Sequence, residues 1–340
     1  VTGVQTCALP IWLSSGANSP TETIILPSNL APLGALPARF RRTRVLIVGY
    51  GDVGLRLASV LPSRVRVMAL TSSPQRKADL RTQGLVPLTG NLDQPATLAR
   101  LAGLAQRVVH LAPPPTQGRT DSRTRHLLQA LQRRSPPRQL VYASTTGVYG
   151  DCSGAWVPET RSVRPMTDRA WRRVDAETEV RLWGRRQLGV SVASILRVPG
   201  IYAPDRAGGT PRERLQRGTP VLQASEDVYT NHIHADDLAR ALWRALLLGR
   251  TQRIYNVNDE SDLKMGDYMD LAADLYGLPR PQRISRQQAQ SELPSMLLSF
   301  MSESRRMLNQ RMKRELRLSL KYPHVRTGRS EEHTSELQSQ

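Results

Sequence analysis

One stretch constrains this chain more than any other: Arg44-Val-Leu-Ile-Val-Gly-Tyr-Gly-Asp-Val-Gly54, followed by Leu55-Arg-Leu-Ala-Ser-Val-Leu61. Val45–Val48 is an uninterrupted apolar run, the pattern of a strand buried on both faces of a parallel sheet. Gly49, Gly51 and Gly54 then form G-x-G-x-x-G, and the segment beyond reads as a helix. A tight turn needs the first glycine. The second lets bare backbone approach a pyrophosphate, and the third allows the helix to lie close to the strand. The helix start offers unpaired N–H groups and the positive end of a dipole. Gly49, Tyr50, Gly51, Asp52, Val53 and Gly54 are therefore the candidate pyrophosphate loop of a dinucleotide site.

The units that follow alternate strand and helix. Val65–Leu70 is a second strand, and an NAD-specific site would carry a carboxylate just after it for the ribose hydroxyls. Thr71-Ser-Ser-Pro-Gln-Arg76 stands there instead. Thr71, Ser72 and Arg76 suit a 2′-phosphate, so NADP is preferred over NAD; the competing reading of Arg76 is a cap on a solvated helix. Further strands are expected at Gly84–Leu88, Arg107–Ala112 and Gln139–Ser144, with helices at Pro95–Ala102 and Arg123–Arg134. Such regular alternation predicts a Rossmann-type, doubly wound parallel α/β sheet of about seven strands.

The two ends of the chain are read separately from this fold. Val1–Ile11 and Arg329–Ser339 are translations of a single DNA segment in opposite orientations, which resembles a sequencing adapter. Residues 1–12 and 329–340 are set aside on that ground, and 13–42, rich in Pro, Ser and Ala, reads as a disordered lead-in. Cys7 falls in the excluded end. Cys152 is the remaining thiol, which leaves no disulfide framework and fits a reducing compartment. No apolar run is long enough to span a bilayer, so the expectation is a cytoplasmic protein without a membrane partner. The net charge of +19 comes almost wholly from arginine. Those arginines are scattered over the chain with few aromatics between them, as a GC-rich genome would produce, and no nucleic-acid partner is expected.

Further along, six ordered segments resemble the extended short-chain dehydrogenases/reductases, the NAD-dependent epimerase/dehydratase family. They are the glycine loop, Val109–Ala112, Ser144-Thr-Thr-Gly-Val-Tyr-Gly150, Leu196-Arg-Val-Pro-Gly-Ile-Tyr-Ala-Pro-Asp-Arg206, Asn231-His-Ile-His-Ala-Asp-Asp-Leu238 and Ile254-Tyr-Asn-Val-Asn258. The resemblance implies a cofactor domain over 43–198, completed by about 231–258. It also implies a smaller, mainly helical substrate lobe from 199–230 and 259–328. It places Asn91 and Leu92 near the adenine, Ala112 and Pro113 beside the cofactor, and Pro199 where the chain enters the lobe. Thr145 takes the Ser/Thr position that bonds the substrate oxygen.

The chain departs from the family at its proton-transfer pair. The family pattern Pro-x-Ser-x-Tyr-x-x-x-Lys meets Pro165-Met-Thr-Asp-Arg-Ala-Trp-Arg-Arg173, with Glu177 in register beyond it. Arg169 fills the tyrosine position and Arg173 the lysine position. A guanidinium with a pKa above about 12 is a poor proton shuttle. Arg173 retains the capacity to bond the nicotinamide ribose. Two expectations stand: an atypical NAD(P)-dependent oxidoreductase or epimerase-like enzyme acting on a small anionic or sugar-related molecule, with Asp168, Tyr149 or Tyr202 as proton donor, or a non-catalytic NADP-binding sensor. The long helix predicted over Trp171–Gln187 makes a homodimer one expectation. His232 and His234 read as part of a helix-entry segment rather than as metal ligands. Helices are also expected at Tyr268–Tyr276 and Ser304–Leu318.

Overall fold

The computed structural model describes residues 42–327 except Leu188. The adapter-like ends and nearly all of the expected lead-in lie outside the described residues. Seven strands form one sheet: β1 (Arg44–Val48), β2 (Arg66–Thr71), β3 (Val86–Thr89), β4 (Arg107–His110), β5 (Gln139–Thr145), β6 (Val192–Val198) and β7 (Arg253–Asn256). Their spatial order is β7-β6-β5-β4-β1-β2-β3, and every pairing is parallel. The order reverses between β1 and β4, so a crevice opens beyond their carboxyl ends.

Burial explains why β1 lies at the centre. Val45 and Ile47 enter one apolar cluster with Leu57, Leu242 and Tyr255, while Leu46 and Val48 enter another with Leu127, Tyr142, Val180 and Trp183. Successive residues of a strand face opposite ways, so an unbroken apolar run feeds both faces. Helices α1 (Asp52–Val60) and α4 (Ala235–Leu248) cover the first face; α2 (Ser122–Leu131) and α3 (Asp168–Arg186) cover the second. The buried side of α3 is not wholly apolar. It carries Arg172 and Glu177 beside Ala176, Val180 and Trp183. Glu177 accepts two bonds from Arg197 on β6, at 3.0 and 2.6 Å, and one from Ser144 on β5 at 2.6 Å. A buried bidentate pair of this kind locks helix to sheet.

The rest of the described chain is built from short paired strands and helices. Gly200–Tyr202 pairs parallel with His232–His234, and Tyr229–Thr230 antiparallel with Leu263–Lys264. Two apolar clusters sit here, one around Tyr202, Tyr268 and Met269, the other around Leu222, Met265 and Met301.

The helix expected over Ser304–Leu318 does not form as one element. Arg306–Met307 is instead a strand beside Trp156–Val157, and a short helix follows at Gln310–Glu315. Long-range hydrogen bonds override the local pattern: Asn231 Nδ2 donates to the Arg305 carbonyl at 2.9 Å, and Asn231 Oδ1 accepts from Met307 N at 2.8 Å. Met312, Leu316 and Leu318, within the stretch assigned to the lobe from sequence, pack into the first sheet cluster. Among the described residues no helix is long and apolar enough to cross a membrane.

Candidate functional site

The crevice between β1 and β4 is shaped by three glycines with three separate jobs. Gly49 has φ +91°, and a Cβ there would stand 2.4 Å from Ala112 N, so both backbone conformation and space demand glycine. Gly54 lies where a Cβ would meet the Gly49 carbonyl and the Tyr50 ring at 3.3 Å. A Cβ on Gly51 would meet nothing within 4 Å, which leaves open room directly over the start of α1. No side chain caps that helix start, so its orphan N–H groups remain for another partner. Asp52, in the first turn, would repel an anion. Its carboxylate is instead held by Arg56 at 3.1 Å and Arg206 at 3.0 Å. Arg56 also pairs with Asp205 and Asp236.

The other residues expected at the cofactor come from four stretches of the chain. Thr71, Ser72 and Arg76 lie at the carboxyl end of β2; Ser72 and Arg76 are exposed, and Thr71 Oγ1 is turned to the backbone of Ser73. Ala112 follows β4 with its N–H bonded to the Val48 carbonyl at 3.0 Å. The exposed Pro113 contributes its carbonyl to Arg123. Tyr50, Val53 and Leu92 turn their side chains inward: Tyr50 donates to Gln83 at 3.0 Å, Val53 packs against the first sheet cluster, and Leu92 belongs to the second. Asn91 Oδ1 is occupied by Asp93 N at 3.0 Å.

Beyond the end of β5 opens a cleft of about 850 Å³. Thr145, Arg169 and Pro199 line it. Thr145 sits at the tip of β5, opposite Val198 on β6, and its Oγ1 accepts from Gly147 N at 3.4 Å. Arg169 stands over the Phe300 ring at 5.4 Å. Arg173 does not line the cleft. Its Nη1 donates to the Tyr142 hydroxyl at 2.9 Å and to the Ala143 carbonyl at 3.1 Å. This small interior is costly to charge: burial, with Arg173 adding to it, pushes His110 down to about 3, and burial pushes Tyr142 up to about 12.

The three proton donors expected from sequence are poorly placed for that task. Tyr149 is buried with its hydroxyl committed to Asn256 Oδ1 at 2.8 Å, and burial raises its pKa. Asp168 points outward to Arg119 at 2.7 Å. Tyr202 does line the cleft, but its ring belongs to the apolar cluster and its hydroxyl lies toward the buried Asp259 carboxyl.

Sequence reasoning missed what gives the cleft its character. Arg169, Arg206, Arg214 and Arg305 all line it, against a single carboxylate, Glu303, which takes a bond from Arg305 at 2.6 Å. Arg214 Nε and Nη2 are buried without a hydrogen-bond partner, and burial lowers the guanidinium's pKa. A charged group in that position is costly unless an anion completes it. Nothing in its local sequence, Arg212-Glu-Arg214, distinguished it from the many other arginines. His232 and His234 are buried, the first stacked on Tyr268 and the second accepting from Asp236 N at the start of α4. No group of three His, Cys, Asp or Glu side chains is arranged to hold a metal among the described residues.

No curated protein matches the chain. A conserved protein of unknown function from Silicibacter pomeroyi DSS shares 28% identity over 86% of this chain and 99% of its own, with a TM-score of 0.71. UDP-glucuronic acid 4-epimerase from Bacillus cereus, solved with UDP-glucuronic acid and NAD, shares 17% over 88% and 100%, with a TM-score of 0.67. A nucleoside-diphosphate-sugar epimerase from Pseudomonas aeruginosa shares 17% over 87% and 98%, with a TM-score of 0.70. The model of the NAD dependent epimerase/dehydratase family matches residues 45–258. With its parallel sheet, its glycine crevice and that match, the chain belongs to the NAD-dependent epimerase/dehydratase family.

Proposed function

We propose that this protein is an atypical NAD(P)-dependent oxidoreductase or epimerase-like enzyme whose substrate is a small, anionic, sugar-related molecule. The observation that carries the reading is the pair of buried nitrogens, Nε and Nη2, that the half-buried Arg214 leaves without a hydrogen-bond partner in a cleft ringed by three further arginines. A phosphate or carboxylate would supply the missing acceptor. The B. cereus epimerase, named with UDP-glucuronic acid, offers a ligand of that chemistry.

In this reading the pyrophosphate lies over Gly51 against the start of α1, and Arg76 with Thr71 and Ser72 favours NADP over NAD. Pro199 and Ala112 border the nicotinamide end, with Asn91, Leu92 and Pro113 along the rest of the dinucleotide. Bound there, the dinucleotide supplies or removes a hydride. Thr145 orients the substrate oxygen, Arg169 anchors an anionic group in place of the usual phenol, and Arg173 serves the dinucleotide side of β5. Residues 199–230 and 259–328 form the substrate lobe, with Met312, Leu316 and Leu318 of that stretch packed against the sheet. A second copy would pack through α3, whose Trp171 and Leu182 are exposed.

Arg169 and Arg173 also favour a second reading, a non-catalytic NADP-binding sensor. The test is to titrate the protein with NADP(H) and NAD(H), then follow hydride transfer against aldehydes, ketones and nucleotide sugars. Turnover supports the enzyme. Tight cofactor binding without turnover, unchanged in the Arg169→Tyr, Arg173→Lys double variant, supports the sensor.

A further inference from the structure

We propose that Arg206 couples the two binding sites: an anion in the cleft draws this guanidinium from Asp52 and so loosens the dinucleotide at the start of α1. This rests on the reading of the cleft as an anion site given above. Arg206 belongs to both places. It lines the cleft beyond β5, yet its Nε donates at 3.0 Å to Oδ2 of Asp52, in the first turn of α1. Its Nη1 donates to the Ile201 carbonyl at 3.2 Å, and its Nη2 bonds to no described residue.

The loop that carries Arg206 is tied to α1 twice, in crossed order. Asp205 accepts from Arg56 Nη2 at 2.5 Å, while Arg206 donates to Asp52, one turn before Arg56. Arg56 is the deeper of the two cations, 11% exposed, and it also serves Asp236 at 2.6 Å. The Asp205 pair therefore holds the loop when the Arg206 side chain swings away. A tight turn at Gly209 adds to this: its N–H donates to the Arg206 carbonyl at 2.8 Å, and a Cβ there would stand 2.6 Å from the Ala203 carbonyl. Only one side chain has to move.

The charges present decide which way the coupling runs. Asp52, Asp205 and Asp236 bring three carboxylates, and Arg56 and Arg206 bring two guanidiniums. His234 beside them adds no cation, since its Nδ1 accepts from Asp236 N at 3.2 Å and burial lowers its pKa. The cluster has no positive charge to spare. Once an anion in the cleft takes Arg206, Asp52 keeps only a share of Arg56. Its carboxylate then stands where the pyrophosphate needs positive potential. The Asp52 and Arg206 side chains are 32% and 28% exposed, so water screens the pair and the coupling is modest, about fivefold. By linkage the dinucleotide weakens the anion in the cleft by the same factor. Such antagonism helps a dehydrogenase exchange its dinucleotide between turnovers; an epimerase, which returns the hydride it took, gains nothing from it.

The test is calorimetric titration of the full chain with NADP, alone and saturated with UDP-glucuronic acid. The native protein should bind NADP about fivefold more weakly when the probe is bound. Arg206→Gln should weaken NADP in the absence of the probe and abolish the difference the probe makes. Asp52→Asn should abolish that difference too, with NADP held at least as tightly as in the native protein. Adding Asp52→Asn to Arg206→Gln should then restore NADP affinity, a rescue that a merely structural arginine would not show. Equal NADP affinity with and without bound probe, or no rescue in the double variant, overturns the proposal and leaves the oxidoreductase reading standing. A difference that persists in Arg206→Gln marks direct competition for the crevice and overturns it as well. A protein that binds NADP but not the probe overturns the proposal together with the reading of the cleft as an anion site. One that binds no dinucleotide overturns the oxidoreductase reading itself.

Discussion

The crevice at the ends of β1 and β4 and the cleft beyond β5 are built from different materials. The crevice is backbone, made by omission: no Cβ at Gly49, Gly51 or Gly54, and no cap on α1. The cleft is made of long charged side chains brought together from α3, the 199–216 segment and the 295–305 segment. A backbone site depends on local conformation and tolerates little change. A side-chain site depends on distant segments meeting, and can be retuned one residue at a time.

The largest effect that would sharpen this contrast comes from the glycines. Gly49→Ala forces a Cβ to within 2.4 Å of Ala112 N at a positive φ. It should cost several kcal/mol, about 3 or more, measured as a fall in Tm together with loss of NADP binding. Gly51→Ala meets no protein atom within 4 Å, so its Tm should hold while dinucleotide affinity falls. Equal Tm losses in the two variants would break the division between fold and ligand roles.

Next in size is Glu177→Gln, which leaves Arg197 without its buried counterion. About 3–5 kcal/mol should be lost, read by denaturant unfolding. Arg214→Met is the converse case in the cleft: stability should be unchanged or raised, while affinity for UDP-glucuronic acid falls about 10- to 100-fold by calorimetry. A destabilised Arg214→Met with unchanged affinity would make that guanidinium structural. The smallest effect is Arg76→Ala, expected to weaken NADP about tenfold, or about 1.4 kcal/mol, with NAD binding unaltered.

The same contrast decides what was legible in the sequence. The central strand, its glycine turn and the alternation through β6 follow from short-range rules, since an apolar run at Val45–Val48 can be buried only one way. The proposed replacement of the usual tyrosine and lysine by Arg169 and Arg173 rests likewise on a short-range pattern, the fixed spacing from Pro165. Arg173 turning to Tyr142 was not visible, nor was the enclosure of Tyr149 by Asn256, since each depends on a partner far along the chain. The helix expected at Ser304–Leu318 failed for the same reason: Asn231, more than seventy residues earlier, claims that backbone.

Asp237, fully buried near the start of α4, accepts backbone N–H bonds from Lys321 and Tyr322 at 2.9 and 2.8 Å. Together with Met312, Leu316 and Leu318 in the first sheet cluster, this makes the first half of the chain wait for the last. During synthesis the layer behind the glycine turn stays unfinished until the ribosome has released residues beyond 320. A nascent chain shortened before that point would expose apolar sheet surface to chaperones rather than wait quietly for a nucleotide.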